Sequence, residues 1–322
     1  MICGYSRGWE GDTSVFSKPC GLWYRIFDWR LLMSRLMTLV LLITVGCGGA
    51  SKAPPIEVET ELAKFGQSEI YYEVAGSGEP TVVLIHGGLL DCRMWDDQFE
   101  ILSRDHRVVR YDASAHGQSA LPPDAYWDHA DLRGLLDHLS IDRAILVGLS
   151  LGGRIAIDLA LEDPQRVEAV VAVSSGLGGY RFTSEDYLKN RDAMMAAWKA
   201  GDFENVVEAF QRSWTDGPHR MPEDVDPLVR EQVRVMARDR IESAMEGRML
   251  REPAINRLSE LEVPMLVVVG ELDVPGILEI ADLLVAADPN ADLVVVPGAA
   301  HMVNLEKPEE FNRILLDFLD RF

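Results

Sequence analysis

Cysteine is scarce in this 322-residue chain, and the cysteines present show no pairing pattern. The four of them contain no C-x-x-C and no zinc-finger spacing, and the seven histidines contain no H-E-x-x-H. Protein zinc sites normally show such spacings, because neighbouring ligands have to reach one ion from the same turn or helix face. We therefore expect no metal site.

Basic residues are also in short supply. Lysine and arginine total 31 against 52 aspartate and glutamate residues, which gives a formal net charge of -21. Nucleic-acid binding needs basic patches that neutralise phosphates, so this class of partner is not expected. The acidic balance indicates a self-repelling surface and identifies no substrate.

The apolar run near the N-terminus, residues 36–45, is shorter than the roughly 20 residues that a bilayer span needs. Met33-Ser-Arg35 precedes it and Gly46-Cys47-Gly48-Gly49 follows, which is the order of a secretory signal: a charged segment, an apolar segment and small residues at a cleavage point. Residues 1–32 carry no targeting pattern, and translation is expected to begin at Met33 or Met37.

The cysteine at this position resembles a bacterial lipoprotein signal, with Cys47 as the lipidated first residue of the mature chain. Thr44 departs from the leucine usual there. Residues 1–55 are then a leader followed by a short flexible tether, and the protein is expected to be exported and membrane-anchored only through Cys47. The alternative is an uncleaved anchoring tail, or a cytoplasmic protein if the segment is not a signal.

From residue 56 onward, strand and helix patterns alternate. Apolar or alternating runs predict strands, and amphipathic stretches between them predict helices. The expected strands are 56–63, 68–74, 81–85, 107–111, the run around Ile145, 167–173, 263–269 and 293–296; the expected helices are 91–102, 125–139, 153–160 and 309–319. This alternation predicts an α/β fold with a doubly wound, mostly parallel sheet, formed by residues 56–177 and 251–322.

Residues 178–250 break the alternation with a helical pattern rich in methionine and aromatics, which is typical of a cap over an active site. We interpret those apolar residues as the core of the insertion more than as ligand contacts. A row of arginines is interpreted as a solvated helix face rather than a carboxylate clamp: Arg230, Arg234, Arg238 and Arg240.

The segment Gly148-Leu-Ser150-Leu-Gly152 follows a buried apolar run and precedes a helical pattern. That layout is typical of a nucleophile elbow, in which a strained turn projects a serine hydroxyl. The flanking glycines remove side chains that would collide in such a turn.

Ser150, Asp273 and His301 each lie just past the end of a predicted strand, so the sheet should bring them to one crevice. Serine needs a neighbouring imidazole to take its proton, and the imidazole needs a carboxylate to fix its tautomer. Glu271 and Asp112 are rival acids. Histidines 106, 129, 138 and 219 have no such context and are expected on the surface or on helices.

Four motifs in this order resemble an α/β-hydrolase with a helical cap over residues 57–322: His86-Gly87-Gly88, the elbow, Gly270-Glu-Leu-Asp273 and Gly298-Ala-Ala-His301. Arg93-Met-Trp95 and Arg107-Val-Val-Arg-Tyr-Asp112 are similar to β-ketoadipate enol-lactone hydrolases and related esterases.

The resemblance implies Ser150 as nucleophile, His301 as base and Asp273 as its partner. It also implies the backbone N–H groups of Gly88 and Leu151 as the oxyanion hole, with no cofactor. His86 is expected to orient its loop. The chain departs from the family at residues 112–119, where the usual arginine and glycine are replaced by Ser114 and Ala115.

The expected function is therefore a serine hydrolase that cleaves a small carboxylic ester or lactone. C–C bond hydrolysis and cofactor-free perhydrolysis on the same triad stay open, because one fold hosts several chemistries. A non-catalytic protein that binds a small ligand under the cap is the alternative from another class. The oligomeric state is not specified.

Overall fold

The computed structural model describes residues 56–322 apart from Arg240 and Pro289. The predicted signal and its Cys47 lie outside this part and stay predictions. Within the described residues, no helix combines the length and the apolar character that crossing a membrane requires.

One eight-stranded sheet forms the centre of the fold, with the strand order β1-β2-β4-β3-β5-β6-β7-β8. The first two strands form an antiparallel hairpin, β2 pairs antiparallel with β4, and all other neighbours are parallel. The strands are β1 (Val58–Phe65), β2 (Ser68–Ala75), β3 (Val82–Ile85), β4 (Val108–Tyr111), β5 (Ala144–Leu149), β6 (Val167–Val173), β7 (Met265–Gly270) and β8 (Asp292–Val296). The predicted doubly wound, mostly parallel α/β fold is confirmed.

The helices lie on both faces of this sheet and above its carboxyl edge. They are α1 (Asp96–Leu102), α2 (Asp128–His138), α3 (Leu151–Glu162), α4 (Glu185–Ala200), α5 (Phe203–Trp214), α6 (Pro227–Asp239), α7 (Ile241–Glu246), α8 (Pro275–Ala287), α9 (Val303–Glu306) and α10 (Pro308–Leu319).

Burial on both faces explains why the central strands are continuous apolar runs. Along β3, Val83 and Ile85 point to the side covered by α2, α3 and α8, whereas Val82 and Leu84 point to the side covered by α1 and α10. All four of these side chains are fully buried, as the twofold side-chain period of a doubly covered strand requires.

The register of the parallel strands brings their carboxyl ends to one edge. Ile85 is opposite Gly148, and Gly270 is opposite Val296. The segments that follow β3, β5, β7 and β8 therefore leave the sheet at neighbouring points, where ligands bind in open α/β sheets.

Helices α4 to α7 lie within residues 178–250, the range that the sequence assigns to a cap. Val206, Val207, Ala237 and Ile241 form a small buried cluster of their own, and Trp198 and Phe203 pack against it in partial burial. The end of this segment is attached to the sheet domain, because the Leu250 N–H donates to the Tyr126 carbonyl at 2.7 Å.

Candidate active site

Ser150 occupies a strained turn between β5 and α3, with φ 55° and ψ −106°. Backbone hydrogen bonds hold it there: its N–H donates to the Val173 carbonyl at 2.9 Å, and its carbonyl accepts from the Gly176 N–H at 2.9 Å. A non-glycine residue at positive φ is unfavourable, so the surrounding structure has to impose this geometry.

The two glycines of the elbow are required by close backbone approach. A Cβ at position 148 would lie 2.2 Å from the carbonyl carbon of Gly152, and one at position 152 would lie 2.1 Å from the carbonyl oxygen of Ile85. No side chain fits at either position, and α3 can therefore start directly behind Ser150.

His301 and Asp273 form a buried pair. The Nδ1 of His301 lies 3.0 Å from Oδ2 and 3.1 Å from Oδ1 of Asp273, and both residues are almost completely inaccessible. The Val274 N–H also donates to Asp273 Oδ1 at 2.7 Å. With the carboxylate accepting at Nδ1, the proton of a neutral His301 resides on Nδ1, and Nε2 is left as the basic nitrogen.

Ser150 and His301 line the same cavity, which has a volume of about 610 Å³. Gly88 and Leu151 line it as well, and a Cβ at position 88 would lie 3.9 Å from the Leu151 Cβ. The cavity is therefore bordered by the predicted nucleophile, the predicted base and both predicted oxyanion-hole residues. Asp273 is buried behind His301.

The rival acids are committed to other contacts. Asp112 accepts from the backbone N–H groups of Cys92 at 2.8 Å and Gln118 at 2.7 Å, and Glu271 accepts from the Gly298 N–H at 3.0 Å. Both carboxylates therefore hold loops in place.

His86 has the orienting position expected of it. Its Nδ1 donates to the Gly87 carbonyl at 2.7 Å and its Nε2 accepts from the Ala113 N–H at 2.8 Å. Complete burial lowers the pKa of His86, so the ring is neutral and connects the loops after β3 and β4.

His116 is a cavity residue that the sequence analysis does not single out. Burial, together with the neighbouring His86, lowers the pKa of His116 to about 4. The two rings lie 5.1 Å apart, and His116 Nδ1 lies 3.0 Å from the Ser114 carbonyl. The neutral ring lies in the loop of residues 112–119, next to the two positions, Ser114 and Ala115, at which the chain departs from the family pattern.

Asp91, Cys92 and Asp112 come close enough for their potential ligand atoms to lie within 4.8 Å of one another. The donors are already engaged: Asp91 binds the Arg93 guanidinium and Asp112 binds two backbone N–H groups. Burial raises the pKa of the Cys92 thiol, which keeps it protonated and a poor metal ligand.

Aromatic residues from the segment 178–250 form a wall beside His301. The Trp214 ring lies 4.5 Å from the His301 ring, and Phe182 and Tyr187 pack edge-on against Trp214 at 5.9 and 5.7 Å. Other apolar side chains of this segment, Met194 and Phe210, also border the cavity.

The arginines on α6 form ion pairs with carboxylates near them. Arg230 pairs with Asp216 and Glu208, and Arg234 with Glu231. Arg238 lies 3.3 Å from Glu204. These three side chains are not part of the cavity wall, and Arg240 lies outside the described residues.

Residues 82–314 match the model of the alpha/beta hydrolase family. A 2-hydroxy-6-oxononadienedioate/2-hydroxy-6-oxononatrienedioate hydrolase of Paraburkholderia xenovorans is 26% identical over 270 residues, which cover 79% of this chain and 91% of that protein. A pimeloyl-[acyl-carrier protein] methyl ester esterase of Yersinia enterocolitica is 27% identical over 256 residues, which cover 78% of this chain and 97% of that protein.

Among solved structures, the enol-lactonase from Burkholderia xenovorans superposes with a TM-score of 0.68 at 25% identity, covering 81% of this chain and 100% of that one. The chain therefore belongs to the alpha/beta hydrolase family. It is an enzyme, a hydrolase, as expected.

Proposed function

We propose that the protein is a serine hydrolase that cleaves a small carboxylic ester or lactone through an acyl-enzyme on Ser150. The observation that carries this proposal is the pairing of His301 Nδ1 with the Asp273 carboxylate at 3.0 Å, where His301 lines the same cavity as Ser150. Nucleophile, base and orienting carboxylate are the set that acyl transfer requires.

In the proposed reaction, the Ser150 hydroxyl attacks the carbonyl carbon while His301 Nε2 accepts its proton. The backbone N–H groups of Gly88 and Leu151 donate to the oxyanion, and each such donor is worth roughly 3 kcal/mol of barrier. His301 then protonates the leaving alcohol as its bond to carbon breaks. Water, deprotonated by the same imidazole, releases the acid and regenerates Ser150.

Two relatives support the ester or lactone assignment. The Yersinia enterocolitica relative is named as a methyl ester esterase, and the Burkholderia xenovorans structure as an enol-lactonase. Both span more than three quarters of this chain.

C–C bond hydrolysis on the same residues is the second candidate. The Paraburkholderia xenovorans relative is named for a substrate that contains a ketone and two carboxylates but no ester. An attack by Ser150 on a ketone would need a carbanion leaving group in place of an alcohol.

A substrate panel distinguishes the two. It contains esters of graded acyl and alcohol length, a lactone and a vinylogous diketone, tested with the wild type and Ser150→Ala. We expect esters or the lactone to be hydrolysed with the higher kcat/KM, and Ser150→Ala to lose about a thousandfold or more. A higher kcat/KM for the diketone would favour C–C cleavage, and unchanged turnover by Ser150→Ala would reject the nucleophile.

A further inference from the structure

The cavity at Ser150 has an arginine-rich wall. Among the described residues that line it, four are arginines and none is aspartate or glutamate: Arg154, Arg181, Arg191 and Arg251. The chain as a whole has 52 acidic and 31 basic residues. A lining with the opposite charge balance gives the cavity a local positive potential that an anion would meet on entering.

Arg251, like Arg181, is an arginine of this wall that has no carboxylate partner within the described part of the chain. It forms no ion pair or hydrogen bond within residues 56–322, positions 240 and 289 excepted. Partial burial and the like charge of Arg154 lower the pKa of its guanidinium, the charges of Asp128 and Asp158 offset part of this effect, and the group stays charged at neutral pH. A bound anion between the two guanidiniums would relieve this repulsion.

Arg154 connects the arginine-rich wall to the nucleophile. Arg154 lies one turn after Ser150 on α3, and its backbone N–H donates to the Ser150 carbonyl at 3.1 Å. Gly176 approaches both residues closely, since a Cβ there would lie 3.3 Å from the Ser150 carbonyl oxygen and 3.8 Å from the Arg154 Cβ.

Two buried carboxylates lie beside Arg154 and balance its own charge. Arg154 binds Asp128 at 2.8 Å and lies 4.0 Å from Asp158. Burial raises the pKa of Asp128 to about 6 and that of Asp158 to about 7, so Asp128 stays mostly ionised near neutrality and Asp158 is partly protonated.

Arg181 and Arg191 extend the same charge along the segment 178–250. Arg181 has no ion pair within the described part of the chain, and Arg191 pairs only with its exposed neighbour Asp192. Tyr187 lines the cavity with Arg191 and Arg251, and burial raises its pKa while the charges of these two arginines partly oppose that rise.

The arginines of α6 provide an internal comparison. Arg230, Arg234 and Arg238 each have a carboxylate partner from their own region. These three arginines of α6 therefore have carboxylate partners, whereas Arg251 and Arg181 at the cavity have none within the described part of the chain.

We infer that the natural substrate carries an anionic oxyacid group, a carboxylate or a phosphate, which Arg251 and Arg154 bind while the scissile carbonyl lies at Ser150. This inference rests on the proposed function and narrows its substrate class. A guanidinium donates two parallel hydrogen bonds to a carboxylate or phosphate, which fixes orientation as well as charge.

The test uses matched pairs of methyl esters that differ only in the distal group. Monomethyl esters of dicarboxylic acids from succinate to pimelate are compared with the dimethyl esters, and a third series carries a distal phosphonate. We expect wild-type kcat/KM to be at least about tenfold higher for an anionic series than for the dimethyl series. The better of the two anionic series identifies the group.

Arg251→Gln is expected to lower kcat/KM for the anionic ester at least about tenfold more than for the dimethyl ester. Arg251→Lys should retain part of the preference, because it keeps the charge without the bidentate geometry. Arg234→Gln, on α6 away from the cavity, is the matched control and should keep the wild-type preference. Thermal unfolding checks that each variant is folded.

Equal wild-type turnover of anionic and neutral esters, or equal losses on both in Arg251→Gln, would overturn the inference while leaving the serine-hydrolase proposal intact. If no ester is turned over, the proposed function fails. Calorimetry with glutarate then still tests whether the cavity has an anion site. Glutarate should bind Ser150→Ala, and its affinity should fall at least about tenfold when Arg251→Gln is added, which would support the anion site. Absence of glutarate binding to Ser150→Ala would reject it.

Discussion

At the scale of single residues, the choice among three acidic side chains is the most specific result. The sequence favours Asp273 over Glu271 and Asp112 because Asp273 sits where the acid of the α/β-hydrolase family falls. In the structure, Asp273 contacts His301 at 3.0 Å, whereas Glu271 accepts a hydrogen bond from the Gly298 N–H. Two carboxylates separated by a single residue therefore have different neighbours, and they can be compared directly.

Asp273→Asn is expected to lower kcat about 10³- to 10⁴-fold, because the amide would favour the wrong tautomer of His301. Glu271→Gln, which leaves the His301 contact intact, should stay within about threefold of wild type. Steady-state kinetics on the best ester of the panel measures both. Similar losses in the two variants would contradict the assignment of Asp273 as the partner of His301.

Much of the candidate site was predictable at this scale because its residues sit in motifs with strong local constraints. Gly148 and Gly152 are explained by clashes with backbone atoms, and His86 by its two hydrogen bonds to neighbouring loops. His116 was not predicted, because its place in the cavity wall depends on how the loop of residues 112–119 folds. No periodic pattern or spacing in the sequence predicts such a loop conformation.

At the scale of secondary structure, the elbow between β5 and α3 determines where Ser150, the proposed nucleophile, lies. Its geometry depends on a glycine at 148, where the clash is with backbone atoms that no rotamer change can relieve. Gly66, in the turn between β1 and β2, has φ +57° and no atom within 4 Å of where a Cβ would lie. Adding a methyl group at position 148 therefore tests the steric cost of a side chain, and adding one at position 66 tests the cost of a positive φ.

Gly148→Ala is expected to destabilise the protein by about 1–3 kcal/mol and to abolish most activity, since the elbow has to open to admit the methyl group. Gly66→Ala should cost roughly 1 kcal/mol through its positive φ and keep the wild-type kcat/KM. Urea unfolding and ester hydrolysis test both. Full activity in Gly148→Ala would contradict the steric account of the elbow.

Most elements follow from the sequence because burial imposes their apolar patterns. The predicted strand at 107–111 is observed as Val108–Tyr111, and the predicted helix at 125–139 as Asp128–His138. Helix α8 was not predicted, although Pro275 at its start and the spacing of Ile277, Ile280 and Leu284 are helix signals. Its apolar composition gives weak contrast between faces.

At the scale of the whole molecule, the charge of the cavity could not be predicted from the sequence. The four arginines of its wall come from positions 154, 181, 191 and 251, and only the fold brings them together. The sequence drew attention instead to the row on α6, whose described members pair with carboxylates. The net charge of -21 gives no indication of this local reversal.

The lipid anchor at Cys47, which would attach the whole molecule to a membrane, stays a prediction. Mass spectrometry of the mature N-terminus from the native host checks it, with a lipid-modified Cys47 as the expected first residue. An intact, unmodified peptide spanning Cys47 would contradict export as a lipoprotein.

Labelling by a fluorophosphonate probe tests the central claim, an activated Ser150 nucleophile, most directly. The probe phosphonylates a serine only where a base and an oxyanion site activate it. We expect one adduct per chain by intact mass, located on Ser150 by peptide mapping, and none in Ser150→Ala or in heat-denatured protein. Absence of an adduct on the folded wild type, or equal labelling of Ser150→Ala, would contradict the account.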